Sequence, residues 1–327
     1  MAVAPSILVV RLSAIGDLIL TAPVVARLHA DGYRVVLLCK DAYRSVGTTL
    51  PGVEEVLSWE KDRFNLPKRL NTFSAILDLQ GTAKSKRWCQ QWSIPVHTYR
   101  KPYVRRAVLL ATKFSQLALK PVVERYFDAA APLIKGPRDS NDVNDQLRLP
   151  QVSTKLPQSP YIAVVLGGSY AGKRLNFESW RTVIGDLLKI GMPIALVGGP
   201  EEAGIGESLE QPLGSGITNY CGTTTIIEGI AVVAGAALVI SGDTGFMHAA
   251  ANFRKPIISL WGGTHPSLGF APWPKQSDHH EIISKSFWTP ASKHGKVPFW
   301  MPNPMKKLPL GEIALTAQQI LKDKTTP

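Results

Sequence analysis

Three short stretches carry residue types able to do chemistry. The first is LGGSYAGKRLN (166–176), behind an apolar run. Gly167, Gly172 and Lys173 fit G-x-x-x-x-G-K, the loop whose amides cradle phosphates while its lysine neutralises them. That loop needs Ser or Thr next, because the hydroxyl holds Mg²⁺, and here the residue is Arg174. A helix should also start there, whereas Asn176 is the better cap for a helix over 180–188. Both points argue against an ATPase. Lys173 remains either a point charge for a diphosphate or half of a surface Lys-Arg pair. The second stretch is RLSAIGDLILTAP (11–23), where Gly16-Asp17 follows a strand and opens a helix. Asp17 can cap that helix and complement its dipole, or act as a general base at a strand end. Spacing leaves both open. The third is VISGDTGFMHAAANFRKPIISLWG (239–262), which reads strand, Gly-Asp-Thr-Gly, helix, strand. Free amides at such a helix start bind anionic phosphates without a metal. His248 lies one turn past Thr244 on the same face. Asp243 and His248 have no third ligand at a suitable spacing, so no metal site is expected.

The elements that must position these residues are legible as alternating strands and helices. Strands are expected over 7–12, 35–39, 75–79 and 96–99, with helices over 17–30 and 84–92. Short β-branched runs separated by helices argue a parallel sheet covered on both faces. RLPQVSTKLPQSP (148–160) has three prolines and reads as a linker. Beyond it, strands are expected over 161–166, 194–197, 237–240 and 257–260, helices over 178–190, 226–235 and 245–252, and a last amphipathic helix over 311–322. In open parallel sheets, ligands sit beyond the carboxyl ends of the strands. The loops 13–17, 167–173, 198–201, 222–225, 241–244 and 261–265 are therefore the ones to inspect.

The 327 residues suffice for two domains, and the formal net charge of +12 favours acidic partners. From Lys84 to Arg125 there are ten Lys or Arg residues and one acid, Glu124, with Trp88, Trp92, Tyr99 and Tyr103 interleaved. No nucleic-acid module is recognisable, so nucleic acid is not expected as a partner. The three cysteines are far apart, which fits a reducing compartment. The first twenty residues do not read as a signal peptide, and no apolar window is long enough to span a membrane. The absence of G-x-G-x-x-G after the first strand argues against a dinucleotide dehydrogenase.

RLSAIGDLILTAP, DLQGTAKS (78–85), GKRLNFESW (172–180) and SGDTGFMHAAANFRKPIISLWGGTHP (241–266) together resemble the ADP-heptose:lipopolysaccharide heptosyltransferases, glycosyltransferase family 9. The resemblance implies an α/β GT-B fold, two Rossmann-like doubly wound parallel-sheet domains facing a central cleft. Residues 1–150 would bind the acceptor and 151–310 the nucleotide-sugar, with 311–327 a helix crossing back to the first domain. It implies inverting, metal-independent transfer of a heptose or similar sugar from an ADP-sugar to a lipopolysaccharide inner-core acceptor, with no cofactor. Another surface glycan as acceptor, or nucleotide-sugar binding without turnover, are the alternatives. By position, Asp17 matches the base and Lys173 the lysine on the donor phosphates. Gly16, Ser169, Asp243, Thr244, Gly245 and His248 fall at donor-binding positions. Ser13, Gln80, Lys84, Arg87, Arg105 and Arg106 are expected at the anionic acceptor. The implied protein is a cytoplasmic monomer, peripheral on the inner membrane. GKRLN stands where the family more often has K-x-W-P. The segment 286–306 is longer than the family pattern and is expected to shape an acceptor pocket of its own.

Overall fold

A computed structural model describes residues 4–66, 68, 72–138, 143–157, 160–214 and 216–323. The sequence has no Asp-x-Asp metal motif; its D-V-N-D stretch near the linker (142–145) begins at Asp142, which lies outside the described residues. The chain forms two compact units, residues 1–102 with 120–150, and residues 103–119 with 151–327.

The first unit is built on five parallel strands, β1 (Ser6–Val10), β2 (Arg34–Cys39), β3 (Val53–Ser58), β4 (Phe73–Asp78) and β5 (Val96–Thr98). They lie in the order β3-β2-β1-β4-β5. β1 is buried along its whole length, as expected of a central parallel strand covered on both faces. Its last residue, Val10, is in register with Leu38 on one side and Asp78 on the other. The helix expected over 17–30 is two helices, α1 (Ile15–Ile19) and α2 (Ala22–Ala30). Pro23 explains the break, since it has no amide to donate to the carbonyl one turn back. The Thr21 hydroxyl, at the junction, bonds the Leu18 carbonyl instead, at 2.6 Å. Three further helices complete the unit: α3 (Arg44–Gly47), α4 (Ala83–Cys89) and, after an intervening α5 (Tyr103–Thr112), α6 (Val122–Ala130). α5 belongs to the second unit, where Leu109 and Leu119 pack on Leu268.

The second unit has six parallel strands: β6 (Ile162–Val165), β7 (Ile194–Val197), β8 (Ile217–Asn219), β9 (Leu238–Gly242), β10 (Ile257–Trp261) and β11 (His279–Ile283). Their order, β11-β10-β9-β6-β7-β8, is the doubly wound order of dinucleotide-binding sheets. One face packs on α7 (Phe177–Leu188), α8 (Ala203–Leu213) and α11 (Leu310–Asp323), around Trp180, Ile184, Ile240 and Leu260. The other packs on α9 (Ile226–Gly235) and α10 (Gly245–Asn252), around Val165, Val239, Met247 and Trp261. α11, the terminal helix, packs along α7 and buries Ile313, Ala317 and Ile320 in this same core.

Candidate functional site

In each sheet the strand order turns back on itself beside the first strand, between β1 and β4 in the first unit and between β6 and β9 in the second. Loops leaving such neighbours diverge and open a crevice at the strand ends. Asp17, Lys173 and Asp243 all follow one of these four strands.

In the first unit, Asp17 sits in the first turn of α1, whose cap is Ala14 with no side-chain bond. Asp17 therefore does not cap the helix. Its carboxylate pairs with Arg11, whose side chain is 5% exposed against 33% for Asp17. Arg11 also donates to the Leu79 carbonyl at 2.7 Å and lies 5.6 Å over the Tyr126 ring. Burial opposes the guanidinium charge, but Asp17, Tyr126 and Tyr99 more than offset it and raise the pKa. A permanent cation is thus fixed beneath the exposed edge of Asp17. Ser13, in the loop before α1, and Gly16, in its first turn, are half-buried. Gln80 accepts the amides of Leu12 at 2.9 Å and Ser13 at 3.3 Å, so its carbonyl oxygen ties the loop after β4 to the loop after β1. Sequence reasoning gave Gln80 an acceptor contact and missed this tie.

Asp78, at the end of β4, is fully buried. It accepts from the Gln80 amide at 3.1 Å, the Gly81 amide at 3.0 Å and the Ser85 hydroxyl at 3.0 Å. Burial raises its pKa against the pull of these bonds. Gly81 has φ +54°, and a Cβ there would lie 2.5 Å from the Tyr99 carbonyl oxygen. DLQGTAKS is therefore a turn held together by its own carboxylate. Lys84 and Arg87 are exposed on α4. Of the interleaved aromatics only Tyr103 is exposed, because Trp88 and Trp92 pack edge-on in a row with Trp59 at 5.3 and 5.9 Å, and Tyr99 packs on Tyr126. Arg105 and Arg106 lie on α5 and hence in the second unit, although the expected boundary at residue 150 puts them in the first. Arg105 donates to the Leu117 carbonyl at 3.2 Å, and Arg106 lies 5.1 Å over Tyr103.

In the second unit, 171–173 form one tight turn, and α7 starts only at Phe177, with Asn176 accepting the Ser179 amide at 2.9 Å. The cap read from the sequence is the one observed. Arg174 is 3.5 Å from Glu202 and 3.6 Å from Glu201, so the position that a phosphate loop gives to a metal-binding hydroxyl holds a tethered guanidinium. Lys173 Nζ is 2.8 Å from Asp243 Oδ2, with the two side chains 14% and 6% exposed. His248 Nε2 is 4.0 Å from Asp243 Oδ1. The structure thus brings Lys173, Asp243 and His248 into one cluster, while Ser169 lies exposed in the same loop as Lys173. Thr244 is occupied as the cap of α10, accepting from the Met247 amide at 3.2 Å and bonding Ser241 Oγ at 2.9 Å. The amides of Gly245 and Phe246, the first two residues of α10, are those a helix leaves without an internal partner.

Close backbone contact fixes Lys173. Gly263 donates to the Gly172 carbonyl at 2.6 Å, and Gly172 to the Gly295 carbonyl at 3.2 Å. A Cβ at Gly242 would lie 2.5 Å from the Lys173 carbonyl oxygen, and one at Gly295 2.8 Å from Lys173 Cγ. The segment 286–306, expected to shape an acceptor pocket, is therefore stitched onto the lysine loop of the second unit. Ala291 and Ser292 donate to the Gly263 carbonyl at 3.0 and 3.2 Å, and Asn303 to that of Ala171 at 2.9 Å. Arg11, Glu202 and Gly295 were not singled out from the sequence as site residues, and Gly263 was reached only as part of the loop 261–265. Arg11 carried a signal, as a lone charge ending an apolar run.

Among the described residues, no three His, Cys, Asp or Glu side chains come together as metal ligands, and no helix is long and apolar enough to cross a membrane. A sequence model described as glycosyltransferase family 9 (heptosyltransferase) matches residues 63–295. Lipopolysaccharide heptosyltransferase 1 of Escherichia coli strain K12 is 26% identical over 292 residues, covering 80% of this chain and 89% of that protein. Lipooligosaccharide heptosyltransferase 2 of Haemophilus influenzae is 29% identical over 133 residues, and there the match spans 39% of this chain and 37% of that protein. The structure of an ADP-heptose lipopolysaccharide heptosyltransferase II from E. coli superposes with a TM-score of 0.73 at 18% identity, covering 98% of this chain and 99% of that one. That neighbour is a GT-B structure and shows the same fold here.

Proposed function

Because the chain belongs to glycosyltransferase family 9, we propose that this glycosyltransferase moves a heptose or similar sugar from an ADP-sugar to a lipopolysaccharide inner-core acceptor, with inversion and without a metal ion. The observation that carries the donor half is Lys173 held by Asp243 beside the start of α10. A diphosphate entering there takes the ammonium from Asp243 and meets the amides of Gly245 and Phe246. The similarity to lipopolysaccharide heptosyltransferase 1 and to the ADP-heptose lipopolysaccharide heptosyltransferase II of E. coli supports this donor.

In the proposed reaction, Asp17 accepts the proton of the acceptor hydroxyl. The hydroxyl oxygen attacks the anomeric carbon from the face opposite the diphosphate. Positive charge builds on the sugar, as in oxocarbenium-like glycosyl transition states. Negative charge builds on the leaving diphosphate, where Lys173 and the helix amides stabilise it. Removing one such group typically costs roughly 3–4 kcal/mol, or about 10²–10³ in rate. Arg11 holds Asp17 in place from below. The acceptor is anionic and membrane-borne, the enzyme works as a monomer on the cytoplasmic face of the inner membrane, and exposed Lys84 and Arg87 contribute about 1 kcal/mol each toward an anionic leaflet.

The test is transfer from ADP-heptose by the purified protein and by Asp17→Asn, with ADP binding measured by calorimetry. The variant should lose about 10²-fold or more in kcat and bind ADP as before, and EDTA should leave transfer unchanged. Near-normal turnover by the variant removes Asp17 as base. Loss of transfer in EDTA with recovery in Mn²⁺ removes the metal-free scheme.

A further inference from the structure

Among the described residues nine large apolar side chains are exposed, and seven of them fall in two segments of the second unit. Tyr103, Val104, Val108 and Phe114 lie on α5 and just past its end, with Val104 at 79%. Phe287, Phe299 and Trp300 lie in the segment 286–306, where Phe299 is at 102%. The two segments meet, because Lys113 at the end of α5 donates to the carbonyl of Pro290. Trp288 links the aromatics of the second segment, edge-on to Phe287 at 5.4 Å and to Trp300 at 5.7 Å. Residues 284–309 contain five lysines and no acid, and residues 103–119 contain Arg105, Arg106 and Lys113 and no acid.

Soluble proteins rarely gather exposed apolar side chains in this way without a partner. The charge pattern selects the partner. Protein interfaces are depleted in lysine, whereas surfaces that lie on a bilayer combine Trp and Phe with lysines whose stems snorkel beside them. A sugar platform needs a ring backed by a pocket wall, and Phe299 stands clear of any wall. We infer that α5 and the segment 286–306 form a docking surface for an anionic lipid bilayer, with the aromatics entering the headgroup region and the basic residues facing lipid phosphates. This deepens the membrane reading above, on which it rests, and moves the main contact from α4 to the second unit. Since 286–306 also packs on the lysine loop through Gly295, the same segment joins the bilayer surface to the proposed donor site.

The test is sedimentation of the full chain and of Phe299→Ser/Trp300→Ser with phosphatidylcholine vesicles, with and without phosphatidylglycerol. The native protein should bind only the anionic vesicles and release at high salt. The double variant should lose about tenfold or more in partitioning, yet transfer at the native rate to a soluble acceptor stripped of its acyl chains. Unchanged vesicle binding by the double variant overturns the proposal. So does retained vesicle binding with lost transfer to the soluble acceptor, which assigns the aromatics to sugar. Loss of vesicle binding in Lys84→Glu/Arg87→Glu alone returns the contact to α4 and also overturns it. Vesicle binding as expected, with no transfer from any ADP-sugar, supports the surface while the proposed reaction fails.

Discussion

Lys173→Met separates what the ammonium does for the fold from its proposed work on the donor. Its Nζ lies 2.8 Å from Asp243 Oδ2, and the two side chains are 14% and 6% exposed. At an effective dielectric of about 20, unit charges at that separation attract by roughly 6 kcal/mol. Desolvation of both ions offsets most of this, so the intact pair contributes little net stability. Removing one member is a different matter. Asp243 would remain buried, with His248 at 4.0 Å. Leaving a buried charge uncompensated costs about 3–5 kcal/mol. Lys173→Met/Asp243→Asn removes both charges and should recover most of that loss. Urea midpoints followed by tryptophan fluorescence would order the proteins: native and double variant close together, single variant well below. ADP calorimetry should give a different order. A charge-assisted contact is worth about 1.5–3 kcal/mol, so both variants should bind ADP about 10- to 100-fold more weakly than the native protein. A single variant as stable as the double one would refute the buried-pair argument. Native ADP affinity in the double variant would refute the role of Lys173 on the diphosphate.

Gly263→Ala places a methyl 2.7 Å from Gly172 Cα and 2.8 Å from its carbonyl oxygen, with backbone that cannot yield cheaply. It should lower stability by about 1–3 kcal/mol and weaken ADP binding, while Gly204→Ala, with nothing within 4 Å of the new methyl, should be neutral or slightly stabilising. Equal melting temperatures for the two variants would show that the glycine contact does not fix the loop. All three cysteines are buried, and burial pushes the thiols of Cys39 and Cys221 up to about 12. Ellman's reagent near neutral pH should therefore find none of them until the chain is unfolded, and rapid labelling of the native protein would contradict this. Hydrogen bonds from Thr154, then from the Thr225 amide and hydroxyl, hold Glu228 down at about 2. Its contribution is present above the ordinary glutamate value of about 4.3 and is lost as pH falls toward 2. Glu228→Gln should flatten that part of the acid limb in a pH series of urea midpoints, and an unchanged limb counts against the capping bonds.

The strands most legible in the sequence are those covered on both faces. β1, β6, β9 and β10 are dominated by apolar residues, with one buried serine each in β1, β9 and β10, and the charged residues that follow β1, β6 and β9, namely Asp17, Lys173 and Asp243, stand out by contrast. β3, β8 and β11 lie at sheet edges. VEEVLS and HHEII carry glutamates or histidines over their more exposed halves, so no apolar run marks them. The cap at Asn176 is local and was readable, whereas the tethers are not. Arg174 to Glu202, Gln80 to the amide of Leu12 and Gly172 to Gly263 each join loops that the sheet order alone makes neighbours.

Both units put a charged residue in the loop after their first strand and neutralise it, but the two arrangements are mirror images. Asp17 is a carboxylate held by a cation six residues earlier, the first residue after β1. Lys173 is a cation held by a carboxylate seventy residues later, from the loop across the turning point of the sheet. In the proposed reaction, each reactive charge is stored in an ion pair until a substrate competes for it. An acceptor hydroxyl must share Asp17 with Arg11, whose buried guanidinium cannot leave. A diphosphate must compete with Asp243 for Lys173, and that competition weakens donor binding. Asp243→Asn should for this reason bind ADP more tightly than the native protein, by a factor that calorimetry can measure. Weaker binding would mean that Asp243 holds the donor itself rather than the lysine.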